Sequence, residues 1–175
     1  MDWHLTILEV IDMRSFSNLW FWIALAVMWS TASHWVLGVP FDMVGRAARR
    51  GGQAQTDLED MVRVNVNRLL LIGHEAGLWI TAIGTFLLAG LGVSGFWFDV
   101  EFAQALFLLG LPMSLVGLLS LRTAHILAAQ RLSGAPLRRR LARHRIAVQA
   151  IGMVSIFVTA LWGMYQNMVV GPFPG

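Results

Sequence analysis

The chain has 175 residues, 57% of them hydrophobic and 13% charged, with a formal net charge of +3 and no cysteine. Soluble domains carry about 25% charged residues, so an ordinary soluble fold is excluded. The missing thiols exclude disulfides, thiolate metal sites, thiol catalysis and cysteine-ligated iron–sulfur clusters.

The N-terminal stretch MDWHLTILEVIDM has acidic residues where a signal peptide would be positive, so the first apolar run is expected to stay in the mature protein. That run, Leu19–Val39, carries no charge. It is long enough as helix to cross a hydrocarbon core of roughly 30 Å at about 1.5 Å per residue. Within it, His34 follows Ser30 by one helical turn, which offers the imidazole a local hydroxyl partner inside a helix bundle.

Between the first and second runs lies RAARRGGQAQ, a breaker-rich linker, followed by TDLEDMVRVNVNRLLL. Thr56 with Glu59 three residues later fits a capping box, and Asp57, Glu59 and Asp60 suit a helix N-terminus. The spacing predicts a helix from about Asp57, with Leu58, Met61, Val62, Leu69 and Ile72 along one interfacial side, running into the second span, 76–98. In GHEAG, His74 and Glu75 point about 100° apart on a helix and cannot share one ion as an i, i+4 pair does. Glu75 is expected to pair with an arginine of a neighbouring loop or a partner.

The third span, 102–121, contains Pro112 and is expected to bend there. After it comes LSGAPLRRRLARHR, where Pro136 suits a first helical turn and Leu137, Leu141 and Val148 follow helical spacing. The fourth span, 146–166, is thus expected to extend outward as a basic helix. Small residues recur along span 2 (Gly73, Gly77, Thr81, Gly84) and span 4 (Gly152, Ser155, Thr159, Gly163). Such stripes let helix backbones approach closely in lipid, so spans 2 and 4 are the expected contact pair, or one of them an oligomer face.

The expected fold class is therefore all-α: a single membrane domain over residues 1–175, built as a four-transmembrane-helix bundle with amphipathic and basic helical extensions. All 13 basic residues are arginine. Only Arg14 precedes span 1, while the others crowd the 1–2 and 3–4 connections, so the positive-inside rule puts those connections in the cytoplasm and both termini in the periplasm. Trp20, Trp22, Trp97 and Tyr165 would form the outer aromatic belt, Trp35 and Trp79 the inner one.

His34, His74, His125 and His144 all fall toward the cytoplasmic end, which raises a haem b or quinone site between facing helices. By depth only three share a level: His34 lies about 7 Å inside its boundary, while His74, His125 and His144 lie roughly 3–6 Å outside theirs. Arg138, Arg139, Arg140, Arg143 and Arg145 suit contact with anionic phospholipids, then with the acidic face of a partner. They have neither the aromatic interleaving nor the fold of a nucleic-acid surface. No nucleophile–base pair, paired carboxylates or phosphate-cradling loop is present, and no carboxylate lies within a span. The residues therefore favour a non-catalytic accessory subunit with other membrane subunits as partners and no required cofactor.

Three stretches, EVIDMRSFSNLWFWIALAVMWSTASHWVLGVPFDMV, DLEDMVRVNVNRLLL and VEFAQALFLLGLPMSLVGLLSLRTA, resemble a family of small alphaproteobacterial inner-membrane proteins commonly labelled as a component of the Suf iron–sulfur assembly complex. The resemblance implies a bacterial inner-membrane location. In a chain without cysteine, it implies a docking role for the arginine-rich face and assigns no residue a catalytic part.

Overall fold

The computed structural model describes residue 16 and residues 19–170. The first thirteen residues, Arg14 and the tail after Val170 lie outside the described residues. Five helices and one two-stranded hairpin follow in order: α1 (Leu19–His34), β1 (Trp35–Val36), β2 (Val39–Pro40), α2 (Phe41–Arg50), α3 (Gly52–Phe96), α4 (Glu101–Gln130) and α5 (Gly134–Val170). Helices α3, α4 and α5 are each long and apolar enough to cross a membrane.

The expected helix over 19–39 stops early, at His34. Trp35 pairs with Pro40 and Val36 with Val39, around a two-residue loop in which Leu37 (φ 53°) and Gly38 (φ 75°) both take left-handed backbone. Glycine reaches that region freely, whereas a leucine there costs roughly 1–2 kcal/mol. The strained leucine is tolerated because its side chain, with Val36 and Val39, is buried in the largest apolar cluster among the described residues.

Apart from the hairpin residues, that cluster lies outside the apolar spans. Val36, Leu37 and Val39 of the hairpin meet Val44 and Ala47 of α2, Leu58, Val62 and Val66 of α3, Ala124 and Leu127 of α4, and Leu137 and Leu141 of α5. Every contributing segment carries or adjoins arginines, so a packed layer, not a flat interfacial helix, sits at the arginine-bearing end. The buried face of α3 here repeats every four residues, and Met61 and Ile72, expected on that side, are about 40% exposed.

No separate cap begins α3 at Asp57. The helix starts at Gly52 and runs 45 residues without a break. Thr56 Oγ1 donates back to Gly52 O at 3.4 Å, so it is an interior residue and not a cap. Glu59 instead serves another helix: its Oε1 accepts the backbone N–H of Gly134, in the first turn of α5, at 2.7 Å. Pro136 follows in that turn, as its fixed φ favours.

Through the apolar region α4 is central, packed by α3 on one side and by α5 and α1 on others. The expected pairing of the span 2 and span 4 stripes is not what forms. Gly73 of α3 faces Leu121 of α4, while Gly152 and Gly163 of α5 face Trp29 and Trp22 of α1. Contacts joining α3 to α5 lie at their ends, in the Glu59–Gly134 cap and in Phe96 against Trp162 with ring centroids 5.2 Å apart. The reason is bulk: the indoles of α1 need the groove that α5's small residues leave, and they occupy it.

The end opposite the arginines is fastened by one buried amide. Gln104 Nε2 donates to Gly95 O, and its Oε1 accepts from Trp162 Nε1 at 2.9 Å and Gln166 Nε2 at 2.6 Å. A Cβ at Gly95 would fall 2.8 Å from Gln104 N, so only glycine admits this close approach of α3 to α4.

Candidate functional site

His144 is the one imidazole among the four candidates that the fold buries, at 5% exposure. It lies on α5 just before the apolar stretch that begins at Ile146. Two hydroxyls of α4, three residues apart and hence on one face, meet it: Thr123 Oγ1 at 3.0 Å from Nδ1, and Ser120 Oγ at 3.5 Å from Nε2. Ser120 already donates its proton to Val116 O at 2.8 Å. The imidazole must therefore be the donor toward Ser120, which places a proton on Nε2 and makes Nδ1 the acceptor of the Thr123 hydroxyl. At 3.5 Å the Nε2–H is held loosely.

That side of His144 lines a cavity of ≈ 390 Å³ between α1, the hairpin, α3, α4 and α5. Asn65, Arg68, Ser120 and His144 give it a polar end beside the hairpin loop. Met113 and Val116 extend it toward the apolar region. Asn65 donates to Met61 O at 2.9 Å, and its side chain packs against Gly38, where a Cβ would fall 2.8 Å from Oδ1. A cavity with hydrogen-bond donors at one end and hydrocarbon at the other suits an amphiphile.

The remaining candidate imidazoles are at the surface. His34 is the last residue of α1 and is exposed, its ring edge-on to Trp35 at 5.9 Å. It is not the satisfied interior residue that Ser30 suggested, because the hairpin turns the chain away where the helix was expected to continue. His74 is exposed, its Nδ1 3.5 Å from Glu75 Oε1, and among the described residues no arginine forms an ion pair with that carboxylate. His125 is exposed on α4. No contact joins any two of the four among the described residues.

Of the five clustered arginines, two have internal duties. Arg138 donates to Gln55 Oε1 of α3. Arg145 Nε donates to Ser33 O at the end of α1 at 3.2 Å, and its guanidinium lies 4.1 Å from the centroid of Phe41. Arg140 is partly covered, while Arg139 and Arg143 stand exposed and, with Arg49 and Arg50, form no ion pair among the described residues. Arg46 pairs with Asp42 at 2.6 Å, and this hydrogen bond holds the Asp42 carboxyl below the usual carboxylate range. Gly73 and Gly77, the candidate docking glycines, differ: Gly73 is packed on Leu121, whereas a Cβ at Gly77 would meet nothing within 4 Å.

Sequence reasoning passed over Ser120, Thr123 and Asn65. The signal for the first two was available, since hydroxyls at i and i+3 fall at the same depth as His144 on an antiparallel neighbour. Asn65 could be placed only once the hairpin beneath it was known. Comparison with protein-family models, with curated proteins and with solved structures finds no match.

Proposed function

We propose that the chain is a non-catalytic accessory subunit of the bacterial inner membrane. On this reading it crosses four times with both termini periplasmic, and docks a larger complex through its arginine-bearing layer. The observation that carries this reading is the buried core at the arginine end, which holds α2 and the ends of α3, α4 and α5 in fixed relation and leaves Arg49, Arg50, Arg139 and Arg143 exposed. A rigid, cationic surface beside a membrane fits the acidic face of a partner protein, with anionic phospholipids at its rim. The family resemblance suggests iron–sulfur assembly machinery as that partner.

A fourth crossing is supported by the ends of α1. The backbone N–H of Phe16, just before α1, donates to Glu101 at the α3–α4 turn at 2.6 Å, and Ser33 near its end accepts from Arg145 at the opposite face. The segment is thus tied to its neighbours near both ends, and its 16 helical residues rise about 24 Å. Purification from native membranes in mild detergent tests the proposal. A stoichiometric partner retained by wild type and lost by the R139E/R143E double variant is expected; a monomer in both contradicts it.

A further inference from the structure

We propose that the ≈ 390 Å³ cavity beside His144 binds the head ring of a membrane quinone. The proposal needs only the membrane placement of α3, α4 and α5 and stands apart from the docking reading. Its polar lining offers donors: the loosely held Nε2–H of His144, the guanidinium of Arg68 and the amide of Asn65. A headgroup that only accepts hydrogen bonds is what such a lining recognises. Met113 lies seven residues before Ser120 on α4, about 10 Å deeper into the apolar region, so the occupant must carry an apolar continuation. A water-soluble anion has none.

Between the two membrane amphiphiles that meet this description, a quinone and an anionic phospholipid, the lining favours the quinone. Among the described residues Arg68 is the only cation that lines the cavity, enough for a carbonyl oxygen and thin for a phosphodiester. Trp35 supplies a flat indole wall against which a ring can lie.

Gly117 gives a clean way to block the site. It lines the cavity, and a Cβ built there meets no heavy atom within 4 Å, so a leucine would project into the space without displacing the fold. The experiment titrates decylubiquinone into the full chain in phosphatidylcholine nanodiscs, with empty discs as the partition control, and reads tryptophan quenching together with extracted quinone. Wild type is expected to bind saturably, and Gly117→Leu to bind at least about tenfold more weakly at an unchanged melting temperature, a tenfold loss being 1.4 kcal/mol. Arg68→Gln, at an exposed residue that the fold does not need, is expected to weaken binding about threefold and decides the matter if Gly117→Leu fails to fold. Absence of saturation, or equal affinity in the variants, overturns the proposal. Displacement of the quinone by phosphatidylglycerol added to the discs assigns the cavity to a phospholipid headgroup and overturns it as well.

Discussion

The Glu59 carboxylate of α3 caps the N-terminus of α5, accepting the Gly134 N–H at 2.7 Å across 75 positions of sequence. The same Oε1 accepts from Gln55 Nε2 at 2.6 Å, and Gln55 in turn accepts from Arg138. One acidic residue thereby joins two helices and satisfies an amide that a helix start leaves orphaned. Glu59→Ala is expected to lower stability by about 1 kcal/mol, in the range of lost N-caps, and Glu59→Gln by less, because the amide oxygen still accepts. Thermal unfolding in detergent distinguishes them; equal melting temperatures for wild type and Glu59→Ala would remove the cap from the account.

Thr123 and His144 form a second tie, between α4 and α5. Thr123→Val keeps the volume but strips the imidazole of its close partner, at a cost of about 1–3 kcal/mol. The double variant Thr123→Val/His144→Leu should cost less than the sum of the single changes, since both buried polar groups leave together. A double-mutant cycle by denaturant unfolding measures this, and strict additivity would mean the two side chains do not interact.

The glycines of α3 and α5 should behave oppositely. A Cβ at Gly152 falls 2.7 Å from Cε3 of Trp29, a rigid ring at 5% exposure, so Gly152→Ala is expected to destabilise by about 1–3 kcal/mol. Gly77→Ala adds a methyl to open space and should be neutral or stabilising by up to ~1 kcal/mol through helix propensity. Parallel melting curves check the contrast; a loss at Gly77 matching that at Gly152 would show that the α3 stripe is closely packed in solution.

Because the chain has no cysteine, single-cysteine labelling can report its orientation without background. Arg49→Cys and Arg139→Cys, both exposed at the arginine end, should react with an impermeant maleimide only in inverted membrane vesicles. Trp97→Cys, at a residue 82% exposed in the α3–α4 turn, should react only in right-side-out cells. Reaction of Arg139→Cys and Trp97→Cys from one side would refute the orientation and the crossing of α4 between them.

Helical content and the apolar character of α3, α4 and α5 were legible from uncharged runs alone, since a bilayer demands both. Four features were not, for distinct physical reasons. The Leu37–Gly38 turn hid in an apolar run because hydrophobicity cannot tell a membrane helix from a hairpin buried in protein. Helix partners were misassigned because small residues reveal a groove but not which bulky neighbour enters it, here Trp29 and Trp22. Depth along a straight helix placed His144 in a solvated layer, whereas Leu137 and Leu141 belong to a buried core near that level and the imidazole itself is 5% exposed. The arginine cluster was visible as charge, but not its division into internal ties, Arg138 and Arg145, and outward-facing Arg139 and Arg143.

The unbroken course of α3 has a mechanical corollary. Its 45 residues make a rod about 68 Å long, apolar in one part and seated by Leu58, Val62 and Val66 in the other. With no hinge along it, a change in bilayer thickness that tilts the rod by about 10° about its middle swings the Gly52 end by roughly 6 Å. If α3 crosses a bilayer, the cationic surface travels with that end, and a change in lipid thickness on one side would become a displacement on the other.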